Sequence, residues 1–437
     1  MGKTYLLQAL TEQSGGLYFG ATEATETESL NLFATALGRH ISAAVTPRFA
    51  NWDEVMRYLF SISDRTGPVV IDEFPYLTSA SPALPSILQR EIDQAISTGQ
   101  MTMLLLCGSA LSVMGRLLAG NAPLRGRAAL ELGVRPFPYR LATEYWDVDD
   151  PRLAVMLHAI VGGTPAYRRF VSGDHPHGAA DFDDWVRRAV LDPGSPLFRE
   201  ARYLLDEDLD VRDSAMYHSV LSAVAQGNNT RGSIASYVGR KAPDIGHHLN
   251  VLEDSALVRR EPDLFRSGRS TYRIAEPLVV FYQVVMRPLW GQLESGLADR
   301  VWQSSRTRFS AQVLGPHFEQ LCREYELTVG ADQHAELPAE VGAGVVFDPS
   351  KRRQIEVDVV VLAAAEPGRP RKVLSLGEAK WGDVLGGREV ERLRRVRDLL
   401  TERGYDTADA VLTCYSGAGF AGDLGGSEAR TVSVTDL

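Results

Sequence analysis

Short apolar runs separated by stretches of helical periodicity dominate the first 150 residues. The runs are Gly16 to Gly20, Pro68 to Ile71 and Met101 to Cys107, each bounded by polar or turn residues. Runs of this length between helices read as buried parallel strands of an α/β sheet. From Asp150 to about Asp208 the strands stop and the pattern turns helical, broken by VGGTPAY at Val161 to Tyr167. A different order follows from Met216 to about Arg287. One helix leads to a Gly-Asn-Asn turn, two short helices follow at Ser233 to Val238 and Ala242 to Asp254, and LVRREPDLFRSGRSTYRIAE reads as two strands around a basic turn. Three helices and a two-stranded wing form a winged helix-turn-helix. From about Arg300 the chain returns to α/β character and ends in a glycine-rich stretch, Gly417 to Gly426, and one strand-like run. The expected division is 1–149, 150–209, 210–290 and 300–437.

Composition changes little in this picture. At 437 residues the chain is too long for one core, and 44% hydrophobic with 23% charged residues is ordinary for a globular protein. Cys107, Cys322 and Cys414 lie far apart without a CxxC pair, which argues against a disulfide framework or zinc site and fits a reducing compartment. No signal-peptide pattern or bilayer-length apolar run is present, so the cytoplasm is the expected location, with no membrane partner. Charge matters more. A net charge of −10 repels a polyanion, so any nucleic-acid contact needs a local basic patch. Two stretches qualify: Arg259 to Arg273, and Lys351 to Arg353 with the later Arg392, Arg394, Arg395 and Arg397.

Candidate chemistry begins at the N-terminus. Met1 to Thr4 reads MGKT before a helical pattern, the last part of a phosphate loop G-x-x-x-x-G-K-[ST]. In that role Gly2 permits close backbone approach, Lys3 reaches the β- and γ-phosphates, and Thr4 binds Mg²⁺. GPVVIDEFPY, Gly67 to Tyr76, is an apolar strand ending in Asp-Glu. There Asp72 is placed to hold Mg²⁺ through water and Glu73 to polarise the attacking water. The third strand ends at Ser109, a sensor of the γ-phosphate or a helix cap. Arg125 and Arg127 in PLRGRAALEL are an arginine finger or surface charges.

The C-terminal part carries a second constellation. Glu319 lies in the helical stretch LGPHFEQLCREYEL, Asp358 in the strand IEVDVVVL, and Glu378 and Lys380 end the next strand within LSLGEAKW. Positions 378 and 380 share one face of a strand, as do Glu356 and Asp358, so either of the latter pair is a candidate metal ligand. The order resembles the PD-(D/E)xK nuclease core. That resemblance implies Mg²⁺ on Asp358 and Glu378, with Lys380 activating water or steadying the scissile phosphate. In the winged helix, His247, His248 and Asn250 are placed to read base edges, and Arg266, Arg269 and Arg273 to touch phosphate; Asp244, Glu253 and Asp254 weaken such an approach. A regulatory or oligomerising role is the alternative. Adjacent histidines fit no metal motif.

Across nearly its whole length the chain resembles the archaeal-type ATPases of the AAA+/STAND group that carry a C-terminal nuclease-like domain. GKT, VVIDEFPYL, the CGS strand end, PLRGR, VGGTPAY and GEAKW carry the resemblance. It implies a P-loop sheet with a helical lid, a winged helix and a restriction-endonuclease-like α/β domain, with ATP and Mg²⁺ as cofactors. Those relatives have a strand and the rest of the phosphate loop before GKT, so a truncation within the loop is expected, to be settled by the nucleotides upstream of Met1. The leading expectation is an Mg²⁺-dependent NTPase whose nucleotide state acts on the winged helix and nuclease-like domain, possible homo-oligomerisation included. Its rivals are an Mg²⁺-dependent DNA endonuclease switched by the ATPase and a non-enzymatic DNA-binding regulator.

Overall fold

A computed structural model describes all residues except Met1, 101–102, 109–110, 209–213, 423 and 425–427. The chain divides into two compact units, Met1–Pro136 and Phe137–Leu437.

The first unit is a three-stranded parallel sheet flanked by helices. In chain order these are α1 (Lys3–Ser14), β1 (Leu17–Gly20), α2 (Glu26–His40), α3 (Trp52–Ser61), β2 (Val69–Asp72), α4 (Phe74–Ala80), α5 (Leu84–Thr98), β3 (Leu104–Leu106) and α6 (Leu111–Leu118). The strand order is β1-β2-β3, with Gly20 opposite Asp72 and Ile71 opposite Leu106. All four residues of β2 are buried, as an unbroken VVI run in a central strand requires. Helix starts follow local chemistry. Thr25 accepts from the N–H of Glu28 to open α2, and Asn51 accepts from that of Glu54 at 3.0 Å to open α3. Phe33, Trp52, Val55, Met56 and Leu59 from these two helices close the core on the sheet. Among the described residues β3 pairs with β2 alone, and its three leucines are only half buried.

The second unit opens with helices α7 (Tyr139–Trp146), α8 (Pro151–Val161), α9 (Pro165–Phe170) and α10 (Pro196–Asp208). Next come α11 (Ser214–Ala225), α12 (Arg231–Tyr237), α13 (Gly246–Asp254) and the antiparallel pair β4 (Val258–Pro262) and β5 (Ser270–Ile274). This is the three-helix and hairpin order read from the sequence, although α13 starts four residues later than expected, after a turn. Helices α14 (Pro277–Phe281), α15 (Ala298–Phe309) and α16 (Gly315–Glu326) lead to β6 (Glu340–Asp348), β7 (Arg353–Leu362) and β8 (Val373–Lys380). Then α17 (Gly387–Glu402), β9 (Val411–Ser416) and β10 (Ala429–Ser433) complete the chain. The five strands are ordered β10-β9-β8-β7-β6, antiparallel across β6, β7 and β8 and parallel from β8 to β10.

Three segments expected as separate domains share one core here. It runs from Trp146 and Ile160 through Val220, Leu249 and Phe281 to Phe318 and Val359. The cause lies in α8 and the stretch 277–286, which are apolar on every side and are therefore buried between neighbours. A second core lies on the far face of the large sheet, beneath Val390, Leu393, Val396 and Leu400 of α17. Under the first face, fully buried Glu326 of α16 meets the Tyr415 hydroxyl of β9, Arg430 of β10 and His334. A buried carboxylate needs such partners, and they tie helix to sheet.

The tip of the β4–β5 hairpin docks on the open edge of β6. Leu264 N–H donates to Ala343 O at 3.1 Å, and Asp263 Oδ1 accepts from Val345 N–H at 3.2 Å. This covers an edge that would otherwise expose unpaired backbone groups. The docking explains a glycine. A Cβ on Gly344 would lie 2.4 Å from the Phe265 ring, which cannot yield as a flexible chain end does. Gly344→Ala is expected to destabilise the unit by about 1–3 kcal/mol through this overlap. Denaturant midpoints check it: Phe265→Ala in the same chain should recover part of the loss, and strictly additive effects would contradict the contact.

Candidate functional sites

The first unit gathers its polar side chains at the carboxyl end of β2. Helix α1 starts directly after Gly2, whose φ of 109° lies in the left-handed region that glycine enters without strain. Lys3, at the first turn, donates its ammonium to the Gly108 carbonyl beyond β3. Thr4 Oγ1 donates to Asp72 Oδ2 at 2.8 Å, and the Tyr18 hydroxyl donates to the same oxygen at 2.9 Å. The other oxygen accepts from Glu73 N–H at 3.1 Å. Asp72 is only 3% exposed. Burial pushes its carboxyl upward, but bonds from Thr4, Tyr18, the Cys107 thiol and the Glu73 N–H outweigh it and hold the group below the usual carboxylate range. Burial, reinforced by the Asp72 charge, pushes both the Tyr18 hydroxyl and the Cys107 thiol up to about 12.

Glu73 sits at φ 52°, in the left-handed region that a residue with a side chain seldom occupies. Such backbone is retained where surrounding structure over-determines it, frequently at functional sites. Of the other residues read as nucleotide-contacting, Ser109 lies outside the described residues. Arg127 is a correction to the finger expectation. Its guanidinium is engaged bidentately by Asp93 of α5, at 2.7 and 2.8 Å, so the free cation that a finger requires is already paired. Arg125 donates to Gly120 O at 2.5 Å. Tyr18, Cys107 and the Gly108 carbonyl were not foreseen. Only the parallel register, with Tyr18 two residues before the Gly20–Asp72 pair, signals the first of them.

In the second unit the strand carboxylates converge on one ammonium. Lys380 Nζ lies 2.9 Å from Asp358 Oδ2 and 3.0 Å from Glu378 Oε1. Asp358 Oδ2 also accepts from Ala379 N–H at 3.0 Å. The aim of Asp358 comes from a β-bulge. Gly342 pairs with Val360 and Gly344 with Val357, so Asp358 and Val359 together oppose Ala343. Two arginines complete the frame. Arg323, one turn after Glu319 on α16, donates to the Asp358 carbonyl at 2.8 Å and to Glu319 at 3.3 Å. Arg392 of α17 meets Glu378 and donates to the Glu356 carbonyl at 2.6 Å. Sequence reading missed Arg323 and took Arg392 for part of a basic patch, because their partners are distant in the chain; only the i, i+4 spacing of Glu319 and Arg323 was visible. Glu356 itself is exposed, whereas Asp358 is buried, which separates the two metal-ligand candidates.

Burial and the Asp358 charge push Glu378 upward, against Lys380 and Arg392. Burial lowers Lys380, but the Asp358 and Glu378 carboxylates prevail and hold its ammonium charged. Among the described residues no three His, Cys, Asp or Glu side chains form a ready-made cation site. Two carboxylates with water in the remaining positions still suit Mg²⁺, and Glu378 Oε2 is buried without a hydrogen-bond partner.

On α13, His247 and Asn250 are exposed. His248 is a correction: its ring packs against buried Tyr217 at 5.2 Å rather than facing outward. Arg273 is likewise paired, with Glu261 at 2.8 Å.

No protein-family model matches the chain. It is 25% identical over 399 residues to the uncharacterized protein MJECL04 of Methanocaldococcus jannaschii, covering 90% of this chain and 83% of that one. Among solved structures it is similar to the Walker-type ATPase PABY2304 of Pyrococcus abyssi, with 20% identity, TM-score 0.47, and 64% of this chain and 87% of that one covered. The ORC2 protein of Aeropyrum pernix matches at 14% identity and TM-score 0.40, over 70% of this chain and 85% of that one. No helix among the described residues is long and apolar enough to cross a membrane.

Burial, with the Asp358 charge second, pushes the Glu319 carboxyl up to about 7 from 4.5. The native state therefore holds this proton more tightly than the unfolded chain, and stability falls as pH rises between those values. Glu319→Gln, which cannot ionise, is expected to gain stability relative to wild type from pH 5 to pH 8. Denaturant midpoints across that range test it, and a constant difference would refute the assignment.

Proposed function

We propose that the chain is an ATP-binding, Mg²⁺-dependent NTPase joined to a winged helix and a nuclease-like domain. The observation that carries this reading is the meeting of Lys3, Thr4 and Asp72 at the carboxyl end of β2. These residues fit the group. A hydroxyl and an ionised carboxylate 2.8 Å apart are hard oxygen donors suited to Mg²⁺, and Lys3 supplies a neighbouring cation. Bound ATP would supply the phosphoanhydride bond. Lys3 and the N-terminus of α1 would orient its phosphates, Thr4 and Asp72 would hold the metal, and Glu73 would accept a proton from water. Lys3→Ala and Asp72→Asn are each expected to weaken Mg·ATP at least about tenfold, roughly 1.4 kcal/mol. A fluorescent ATP analogue reads this directly. In EDTA the Lys3→Ala loss should persist and the Asp72→Asn loss should shrink; equal affinities for all three proteins would end the reading.

A second reading concerns the other site and rests on the unpartnered Glu378 oxygen beside Lys380. In it, Asp358 and Glu378 hold Mg²⁺, and the domain cleaves nucleic-acid phosphodiesters. Since both carboxylates keep Lys380 protonated, its part would be to steady phosphate charge rather than to take a proton from water. Glu319 is the remaining acid beside Asp358. Plasmid nicking with Mg²⁺ or Mn²⁺ should fall on the order of 100-fold in Lys380→Ala. Nicking indifferent to that substitution would rule the site out.

A further inference from the structure

The two basic stretches, nearly 90 residues apart in sequence, meet in space. Arg266 at the tip of the β4–β5 hairpin donates to Gln354 Oε1 at 3.3 Å, on the residue that follows Lys351, Arg352 and Arg353. Lys351 and Arg352 occupy the β6–β7 turn, Arg353 opens β7, and all three are exposed, as is Arg269 on the hairpin. Their charges are also uncompensated. Four other arginines of these two stretches are paired: Arg273 with Glu261, Arg392 with Glu378, Arg395 with Asp348 and Arg397 with Glu428. None of Arg266, Arg269, Lys351, Arg352 and Arg353 forms an ion pair among the described residues. The nearest acid of the hairpin tip, Asp263, turns its carboxylate onto the backbone N–H groups of Phe265 and Val345. In a chain carrying 56 acidic and 46 basic residues, five adjacent unpaired cations form a local positive field against an acidic background.

Both halves of this surface are held rigidly. Asp348, wholly buried, accepts from Ser350 N–H at 3.0 Å and from the Ser350 hydroxyl at 2.7 Å, and pairs with Arg395 at 3.0 Å, which fixes the β6–β7 turn. Arg352 is kept at φ 47°, a left-handed conformation that costs energy for a residue with a side chain. The hairpin tip is fixed by its docking on β6. The direction of β7 adds a relation to the carboxylate site. Gln354, Glu356 and Asp358 alternate onto one face, and Arg353, which opens the strand on the opposite face, lies five residue steps from Asp358, about 17 Å of strand. That is roughly half a turn of duplex, about 17 Å.

We propose that the β4–β5 hairpin tip and the β6–β7 turn form one preformed surface that grips the phosphodiester backbone of a nucleic-acid duplex. Recognition is by charge and not by base edges, so α13 is not needed for affinity. The proposal rests on the nuclease-like reading only for the choice of ligand. Its function there is to hold one phosphate run while another, half a turn away, faces Asp358 and Lys380.

Fluorescence anisotropy of labelled DNA and RNA duplexes, in EDTA and over a salt series, tests the surface without cleavage. Replacing Lys351, Arg352 and Arg353 together by Ala should reduce the slope of log affinity against log salt by about 2.7, at 0.9 per phosphate contact. Affinity at 0.15 M salt should fall on the order of 100-fold. Arg266→Ala with Arg269→Ala should reduce the slope by about 1.8. The control His247→Ala with Asn250→Ala should leave both quantities unchanged, and unaltered thermal melting certifies the fold of each variant. Loss of affinity in that control, an unchanged slope in the basic variants, or no binding of either duplex would overturn the proposal. So would binding to anionic lipid vesicles in place of duplex. A protein that binds duplex but never nicks plasmid separates failure of the nuclease reading from failure of this one.

Discussion

Burying a carboxylate at the end of a β-strand obliges a fold to bring donors to it, and both units are organised around that requirement. Asp72 and Glu378 are 3% and 2% exposed. In water each would be solvated at no cost; inside the protein each needs hydrogen bonds or a cation to remain ionised. For Asp72 the donors arrive from a helix start, a neighbouring strand and the following peptide. For Asp358 and Glu378 they arrive from Lys380 on the same sheet and Arg392 on the helix across it. The same solution recurs at Glu326, where the partners join a helix to two strands and no open site results.

The difference between those arrangements is where the spare bonding capacity lies. Glu326 is enclosed by Tyr415, Arg430 and His334 beneath the sheet. Asp72 ends β2, and Glu378 lies two residues before the end of β8. At Glu378 one oxygen of a buried carboxylate has no hydrogen-bond partner. Lys3 bonded to a backbone carbonyl is likewise a cation whose present partner a phosphate could replace.

In the second unit, secondary interactions set the position of charged side chains. The glycines of β6 admit the hairpin tip, the hairpin tip covers the sheet edge, and the covered edge brings two basic stretches together. Arg323 adds a link by holding the Asp358 carbonyl while lying 3.9 Å from Glu261 of β4. The β4–β5 hairpin, read from the sequence as a wing whose arginines touch phosphate, is therefore a structural part of the neighbouring sheet. Its arginines differ accordingly: Arg273 is consumed by Glu261, while Arg266 and Arg269 keep their charge available.

Much of this was legible in the chain itself. Apolar runs of four to seven residues located the strands of the first sheet, and the spacing of short helices before a basic turn located three helices and the β4–β5 hairpin. The reason is local: strand burial and helix amphipathicity are written in periods of two and 3.6 residues. Lys3, Thr4 and Asp72, and Asp358, Glu378 and Lys380, were singled out in the sequence, and the fold brings each group together. Side-chain pairing across distant segments was not legible. Asp93 claims Arg127, Tyr217 takes the ring of His248, and Gln354 meets Arg266 through contacts that no sequence period encodes. Which charges are neutralised and which stay free was decided by tertiary packing, because an ion pair forms wherever folding brings opposite charges within a few ångströms, whatever their separation along the chain.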